Sequence, residues 1–343
     1  LLNLTTFAQG EYLMTDSFDG SGLPANWTVK AGTAQTADSC LSAIAAKTSP
    51  AGRVDSKTLN LGNKFAGYAR LKTNFSLLAS QEIWISDGTH ILKPVTIQNL
   101  TLTPFEDAAY QVRLEHDTFY DLVFVVDAVE KTGKLLQNGA EIYSCAIEIP
   151  AGMDFENAHI SIRNASRREF SDFSIDTFSL VNEQTLQPVS QPANGASMVD
   201  VAALEKVRLD YGTLVLPPEQ AAVQLFEQDI AGGEKQRVEA AVQSDATGFS
   251  IVPQGGFAAQ KRYILEAVGV QNVFGAVLPG QQVSFTTAQS GYVLPRVEVN
   301  VTPKQIVEGD RVSFAVSVTQ GSGATASVAV KTPDGTEKTL TAV

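Results

Sequence analysis

Apolar residues in this chain recur at every second position, and this period of two most restricts what it can fold into. Ala69, Leu71, Thr73 and Phe75 alternate with Tyr68, Arg70, Lys72 and Asn74, and Ile83 and Ile85 alternate with Glu82, Trp84 and Ser86. Successive side chains of a strand point to opposite faces, so each run reads as a half-buried strand with one apolar and one polar face. Tyr110, Val112, Leu114 and His116 repeat the pattern against Gln111, Arg113, Glu115 and Asp117, which makes His116 a buried member of an apolar row. A largely apolar run, Phe119–Val126, follows. Helical spacing is offered by Val201, Leu204 and Val207, but Gly212 and the turn-rich surroundings favour a loop followed by a strand there. The fold class expected is all-β.

The stretch Phe173–Asn194 divides the chain. Phe173 and Ile175 share one parity and Phe178 and Leu180 the other, so a bulge is expected near Asp176–Thr177, where the inward set changes phase. Pro188, Pro192, Asn194 and Gly195 then read as a linker. A chain of 343 residues exceeds one ordinary domain. Three segments are expected: 1–182, 183–290 and 291–343. The last is about half the length of a complete sandwich of roughly 100 residues, so the natural protein is expected to continue beyond it.

Hydrophobic residues make up 44% and charged residues 18%, a balance suited to packed domains rather than long disordered tails. The net charge is −12 and no segment is basic. A nucleic-acid backbone demands a Lys/Arg footprint, so nucleic acid is excluded as a partner. Strands are expected around Ile142–Ile149 and His159–Arg163, and the cluster Arg163, Arg167 and Arg168 reads as a solvated loop. No run reaches the roughly 18 apolar residues of a membrane span. The sequence starts at Leu1 without Met or leader, as a mature or excised fragment would. Cys40 and Cys145 fit no metal spacing, and one disulfide or two reduced thiols both remain open.

The segment DSFDGSGLPANWTV, Asp16–Val29, joins a short strand, a Gly-rich turn and a Trp. It resembles the opening of bacterial laminin-G or concanavalin-A-like jelly-roll domains, and Phe173–Leu180 resembles their closing strand, which would lie beside the opening one. About ten short strands are expected between these ends. In the second segment Tyr263, Leu265 and Ala267, then Val283, Phe285 and Thr287, resemble the late strands of bacterial Ig-like domains of the S-layer-protein type. Gln271 and Asn272 stand where that family often has Asp. The third segment, with Val297, Val299 and Val301, a Glu308–Asp310 turn and Val312, Phe314, Val316 and Val318, resembles half of an Ig-like or PKD-like sandwich. The resemblance implies a jelly-roll β-sandwich followed by Ig-like modules that act as spacers.

Tyr120 and Tyr143 share parity with apolar neighbours and belong to the core, and Trp27 is a structural plug. Trp84 and Tyr68 instead stand among polar neighbours and should project from the polar face. An aromatic ring covers the apolar C–H face of a sugar while polar groups bind its hydroxyls, so Trp84 and Tyr68, supported by Arg70, Glu82 and Arg113, are the candidate ligand-binding residues. Many jelly rolls of this kind carry structural calcium near the ends of the fold, and Asp16, Asp19 and Asp176 are the candidate ligands. A catalytic reading finds little purchase. There is no Glu-x-Asp-x-Glu strand and no Gly-x-Ser-x-Gly elbow; Glu115 and Asp117 share parity but stand alone.

The expectation is therefore a non-enzymatic accessory region of a large secreted or surface-attached bacterial protein. Its jelly roll would bind a polysaccharide, or position an adjacent catalytic domain in the full-length protein. Two alternatives stay open: an adhesive rod with a protein partner, and a polysaccharide-active enzyme.

Overall fold

The structure, a computed structural model, describes residues 12–20, 22–44, 51–74, 80–165, 173–183 and 188–289, together with the backbone of four later strands. Phe75, Arg167 and Arg168 lie outside the described residues.

Strands make up the first segment: β1 (Met14–Asp16), β2 (Trp27–Ala31), β3 (Thr33–Ala37), β4 (Cys40–Ile44), β5 (Gly52–Ser56), β6 (Lys64–Thr73), β7 (Ser80–Ser86), β8 (Ile91–Gln98), β9 (Thr101–Pro104), β10 (Val112–Arg113), β11 (Thr118–Asp127), β12 (Thr132–Gln137), β13 (Ala140–Ala146), β14 (His159–Asn164) and β15 (Phe173–Asn182). Fifteen strands replace the ten expected, because short strands such as β1, β9 and β10 carry little periodicity. They form two antiparallel sheets. Sheet I runs β13–β12–β11–β6–β15–β4–β3 with β1 also paired to β15, and sheet II runs β10–β9–β8–β7–β14–β5–β2. Strands distant in sequence are neighbours, as a jelly-roll sandwich requires.

The inward parities fill one core. Leu71, Leu122 and Phe124 of sheet I meet Ile83, Ile85, Ile160 and Ile162 of sheet II, all fully buried. In β15 the register against β6 shifts between Ile175 and Thr177, which leaves Asp176 as the bulged residue and brings both parities inward. Trp27 plugs one end: its Nε1 donates to Asp16 Oδ2 at 2.7 Å and its ring meets Phe178 edge-on at 5.7 Å. Tyr120 and Tyr143 are buried as expected.

His116 is not. β10 stops at Arg113, Leu114 N turns to donate to Leu100 O, and His116 is exposed just before Asp117, whose φ is +56°. Cys40 and Cys145 are free thiols, held apart on β4 and β13 near opposite edges of sheet I.

A second sandwich follows, from β16 (Val189–Gln191), β17 (Val207–Asp210), β18 (Val223–Asp229), β19 (Gln236–Val238), β20 (Ala240–Asp245), β21 (Gly248–Pro253), β22 (Lys261–Ala267) and β23 (Gln281–Thr286). Its four-stranded sheets, β16–β17–β21–β20 and β19–β18–β22–β23, enclose Leu209, Tyr211, Phe249, Tyr263 and Phe285. Residues 201–203 form a turn before β17 rather than a helix. Asn272, buried, accepts from Phe274 N at 3.1 Å and Ala276 N at 2.9 Å and so holds its own turn. Two antiparallel pairs, β24 (Arg296–Thr302) with β25 (Ser313–Thr319) and β26 (Val328–Lys331) with β27 (Glu337–Leu340), come last. Among the described residues no helix is long and apolar enough to cross a membrane.

The two sandwiches touch. Ala66, Tyr68, Val123, Val125, Leu136 and Val181, on the outer face of sheet I, join Leu214 and Val273 of the second sandwich in one buried cluster. Tyr12 Oη donates to Asp210 Oδ1 at 3.4 Å across the same contact. The turn at Gly139 lies so close to Pro217 that an added Cβ would come within 2.4 Å of its ring. Sheet I therefore has a covered outer face, and sheet II holds the site.

Candidate functional site

Three neighbouring strands of sheet II build the site through simple alternation. β7 turns Ile83 and Ile85 into the core and Glu82 and Trp84 outward; β14 turns Ile160 and Ile162 inward and His159, Ser161 and Arg163 outward; β5 turns Val54 inward and Arg53 and Asp55 outward. Antiparallel register aligns them in two rows. Asp55, Ser161 and Trp84 lie across from one another in one, and Arg53, Arg163 and Glu82 in the other.

Two buried carboxylates fasten these rows. Glu82 Oε2 accepts from Trp84 Nε1 at 2.7 Å and from Arg163 Nη1 at 2.8 Å, while Oε1 accepts from Ser80 Oγ at 2.7 Å. The ring of Trp84 is thereby held by its edge. Asp55 accepts from Arg53 Nε at 2.7 Å, Arg53 Nη2 at 2.6 Å and Ser161 Oγ at 2.7 Å, with His159 Nε2 at 3.4 Å. Burial pushes the Asp55 carboxyl up, but the hydrogen bonds from Arg53 and Ser161, the His159 ring beside it and the Arg53 charge outweigh it and hold the group well below the usual carboxylate range. Asp55 is thus fixed as an anion and unsuited to donate a proton.

Three cations lie over the Trp84 ring. The guanidinium carbons of Arg163 and Arg53 lie 5.0 and 5.8 Å from its ring centroid, and Lys93 Nζ lies 5.9 Å away. Lys93 reaches it through a bulge: Ile83 pairs with Val95 and Ile85 with Leu92, so Lys93 and Pro94 together oppose Trp84 alone. Pro94 has no N–H to give the ladder, which suits this break in pairing.

Beyond Lys93 the face runs into a groove of about 500 Å³ lined by Phe105, Glu106, Asp107, Tyr143 and Glu148 among others. Lys93 Nζ donates to Glu106 Oε1 at 2.7 Å, the Phe105 and Tyr143 rings stack at 5.7 Å, and Tyr143 Oη donates to Asp107 Oδ2 at 3.4 Å. Burial, with Asp107 beside it, pushes the Tyr143 phenol up to about 12. Phe105 and Glu106 both have positive φ, 48° and 59°, a costly conformation for bulky residues that here presents an aromatic and an acid at the groove wall.

Of the five ligand-binding residues expected from sequence, the structure brings together only Trp84 and Glu82. Tyr68 is on the opposite sheet, 7% exposed beneath the second sandwich, its hydroxyl donating to Asp121 Oδ1 at 2.8 Å. Alternation put it on the outer face correctly, but another domain covers that face. Arg70 shares the outer face of sheet I, 3.3 Å from Asp176 and 3.5 Å from Asp121, with its guanidinium over Phe119. Arg113 is on the edge strand β10 and donates to the Asn99 carbonyl.

The candidate calcium ligands do not gather. Asp16 accepts from Trp27, Asp19 from Ser17 and Asp176 pairs with Arg70. Among the described residues no three His, Cys, Asp or Glu side chains stand where they could share a metal ion. Arg163 is on β14 at the centre of the site, as the expected strand His159–Arg163 has it and not in a solvated loop. Arg53, Asp55, Lys93 and Ser161 were missed altogether. The outward parity of β14 could have flagged Ser161 and Arg163, whereas nothing local ties β5 to β7.

No known family profile matches the chain, and no curated protein does. Solved structures do. A laminarinase from Flavobacterium sp. UMI-01 is 12% identical, with 50% of this chain and 100% of that one covered, at a TM-score of 0.38. SCLam, a non-specific endo-beta-1,3(4)-glucanase from family GH16, is 10% identical over 51% of this chain and 91% of its own, at 0.39. The Emp47p carbohydrate recognition domain is 12% identical over 49% and 93%, at 0.38. The likeness is one of fold, over about half the chain. It corrects one expectation: the solved chains sharing this sandwich include glucanases, so the reading as a non-enzyme does not stand. The Ig-like resemblance of the later segments rests on their sequence.

Proposed function

We propose that the jelly roll engages a polysaccharide across the outer face of sheet II, with Trp84 as the platform under a sugar ring and the polar groups beside it addressing hydroxyls. The observation that carries this reading is the fixing of Trp84: a large ring, half-buried and held at its edge by Glu82, with Arg53, Arg163, Ser161 and Lys93 as polar neighbours on the same outer face. A sugar offers such a ring its C–H face, and a platform already held in place loses little freedom on binding. The names of the structural neighbours, two glucan-cleaving enzymes and a carbohydrate recognition domain, point the same way. The setting we propose is a secreted or surface-attached protein in which the second sandwich, braced against sheet I, leaves sheet II free to meet the polymer.

Affinity electrophoresis of the 343-residue chain through gels containing soluble polysaccharides tests this. At least one gel should retard the protein, and Trp84→Ala should run as if the polysaccharide were absent. A chain that no polysaccharide retards, or a Trp84→Ala variant retarded like the parent, contradicts the reading.

A second reading, cleavage of a glycosidic bond, is favoured by the groove beyond Lys93. Glu106, Asp107 and Glu148 all line it, and glycoside hydrolysis uses a pair of carboxyl groups flanking the scissile bond. New reducing ends released from a retained polysaccharide, and lost in Glu148→Gln, would establish it; a retained polymer left intact would rule it out.

A further inference from the structure

We propose that the sugar seated on Trp84 is acidic, its carboxylate or sulfate resting on Arg53 and Arg163; this rests on the glycan-binding reading of the same face. The register carries the argument. β14 pairs with β5 so that Arg163 is directly opposite Arg53. Like charges facing each other across a ladder repel, so this pair works against the sandwich unless something between them is negative.

The carboxylates that balance the pair do so from below. The side chain of Asp55 is 3% exposed against 34% for Arg53, and that of Glu82 is 7% exposed against 26% for Arg163. The outward surface around Trp84 is therefore made of guanidinium edges, with the Lys93 ammonium as a third cation. Both arginines also keep donors in reserve. Arg53 spends Nε and Nη2 on Asp55, and Arg163 spends Nη1 on Glu82. Among the described residues no other hydrogen bond engages either guanidinium, which leaves Arg53 Nη1 and Arg163 Nη2 to a ligand. Planar N–H forks match the paired oxygens of a carboxylate or sulfate, and such charge-assisted bonds are stronger than those to hydroxyls. The two guanidiniums lie over the indole at 5.0 and 5.8 Å from its centroid, so a pyranose packed against the exposed part of the ring brings an acidic substituent onto their free donors.

Polymers that differ only in charge test this on the intact chain. Polygalacturonate is compared with its methyl ester, and dextran sulfate with dextran, by affinity electrophoresis; the first pair reads carboxylate and the second sulfate. One acidic polymer should retard the protein roughly tenfold more strongly than its uncharged counterpart, and salt at about 0.5 M should remove most of the difference. Trp84→Ala should abolish the retardation. Lys93→Gln should weaken it severalfold, and this variant leaves both buried carboxylate pairs intact because the partner of Lys93, Glu106, has a side chain 56% exposed. Equal retardation by charged and uncharged forms, lost in Trp84→Ala, overturns the acidic assignment and leaves the glycan-binding reading standing. Acidic retardation that survives Trp84→Ala overturns the placement on this face, and no retardation by any polysaccharide overturns both.

Discussion

The two outer faces of the first sandwich come from the same kind of alternating strand, yet they end in opposite conditions. On sheet I the outward row holds Ala66, Tyr68, Val123, Val125, Leu136 and Val181, and the second sandwich closes over it with Leu214 and Val273. On sheet II the outward row holds Arg53, Asp55, Glu82, Trp84, Ser161 and Arg163, joined by ion pairs and hydrogen bonds. An apolar outer row calls for a cover, and the chain supplies one. A row of charges locked into place on a polar face is suited to an external ligand. The chemistry of each row thus predicts what sits on it.

The largest effect should come from the covered face. Leu214→Ala removes a fully buried side chain from the contact between the sandwiches and should cost about 3 kcal/mol in urea denaturation. A cost under about 1 kcal/mol would mean that the second sandwich rests on sheet I without stabilising it. On the open face the effect should move from stability to binding. Trp84→Ala should weaken glycan binding by about 2 kcal/mol, some thirtyfold, while loss of the hydrogen bond to Glu82 costs about 1 kcal/mol of stability and leaves the chain folded. If stability falls instead and binding persists, Trp84 is a structural residue like Trp27.

Acid should separate the faces again, because Asp55 is the ionised anchor of sheet II. A folded-state pKa below the unfolded value contributes stability that is fully present above about pH 4 and is lost as pH falls through the folded value. Thermal unfolding followed from pH 7 to pH 2 should therefore show a drop below about pH 4 that is shallower in Asp55→Asn, a variant already less stable at pH 7. Parallel curves would remove Asp55 from this role. The smallest effect belongs to Tyr68→Phe, which deletes one hydrogen bond to Asp121 and should cost about 1 kcal/mol without changing glycan retention. Its phenol is pushed upward by burial and by the Asp121 charge, so it stays protonated and donating at neutral pH.

How much of this was legible in the sequence follows from what each feature depends on. Parity alone gave the inward set of β7, the outward placement of Glu82 and Trp84, and the bulge at Asp176, because a strand's period is local. Parity also turned Tyr68 outward, but its burial depends on Leu214, about 146 residues further along, and alternation contains no such information. His116 failed for the opposite reason: the apolar row from Tyr110 looked continuous, while the hydrogen bond from Leu114 to Leu100 ends the strand early. The arginines around Trp84 come from β5 and β14, which meet β7 only through the sheet order of the jelly roll. The strand His159–Arg163 is legible, but its outward parity, which sets Arg163 beside Ser161 and His159, is masked by the charged run with Arg167 and Arg168.

The most direct test of the account is a comparison of Trp84→Ala and Tyr68→Ala in polysaccharide affinity electrophoresis, each paired with its unfolding curve. The account predicts that Trp84→Ala loses retardation at a cost of only about 1 kcal/mol in stability, while Tyr68→Ala loses more stability and, wherever it is still folded, keeps retardation. Loss of retardation in folded Tyr68→Ala with none in Trp84→Ala would contradict it, and would move the working face to sheet I.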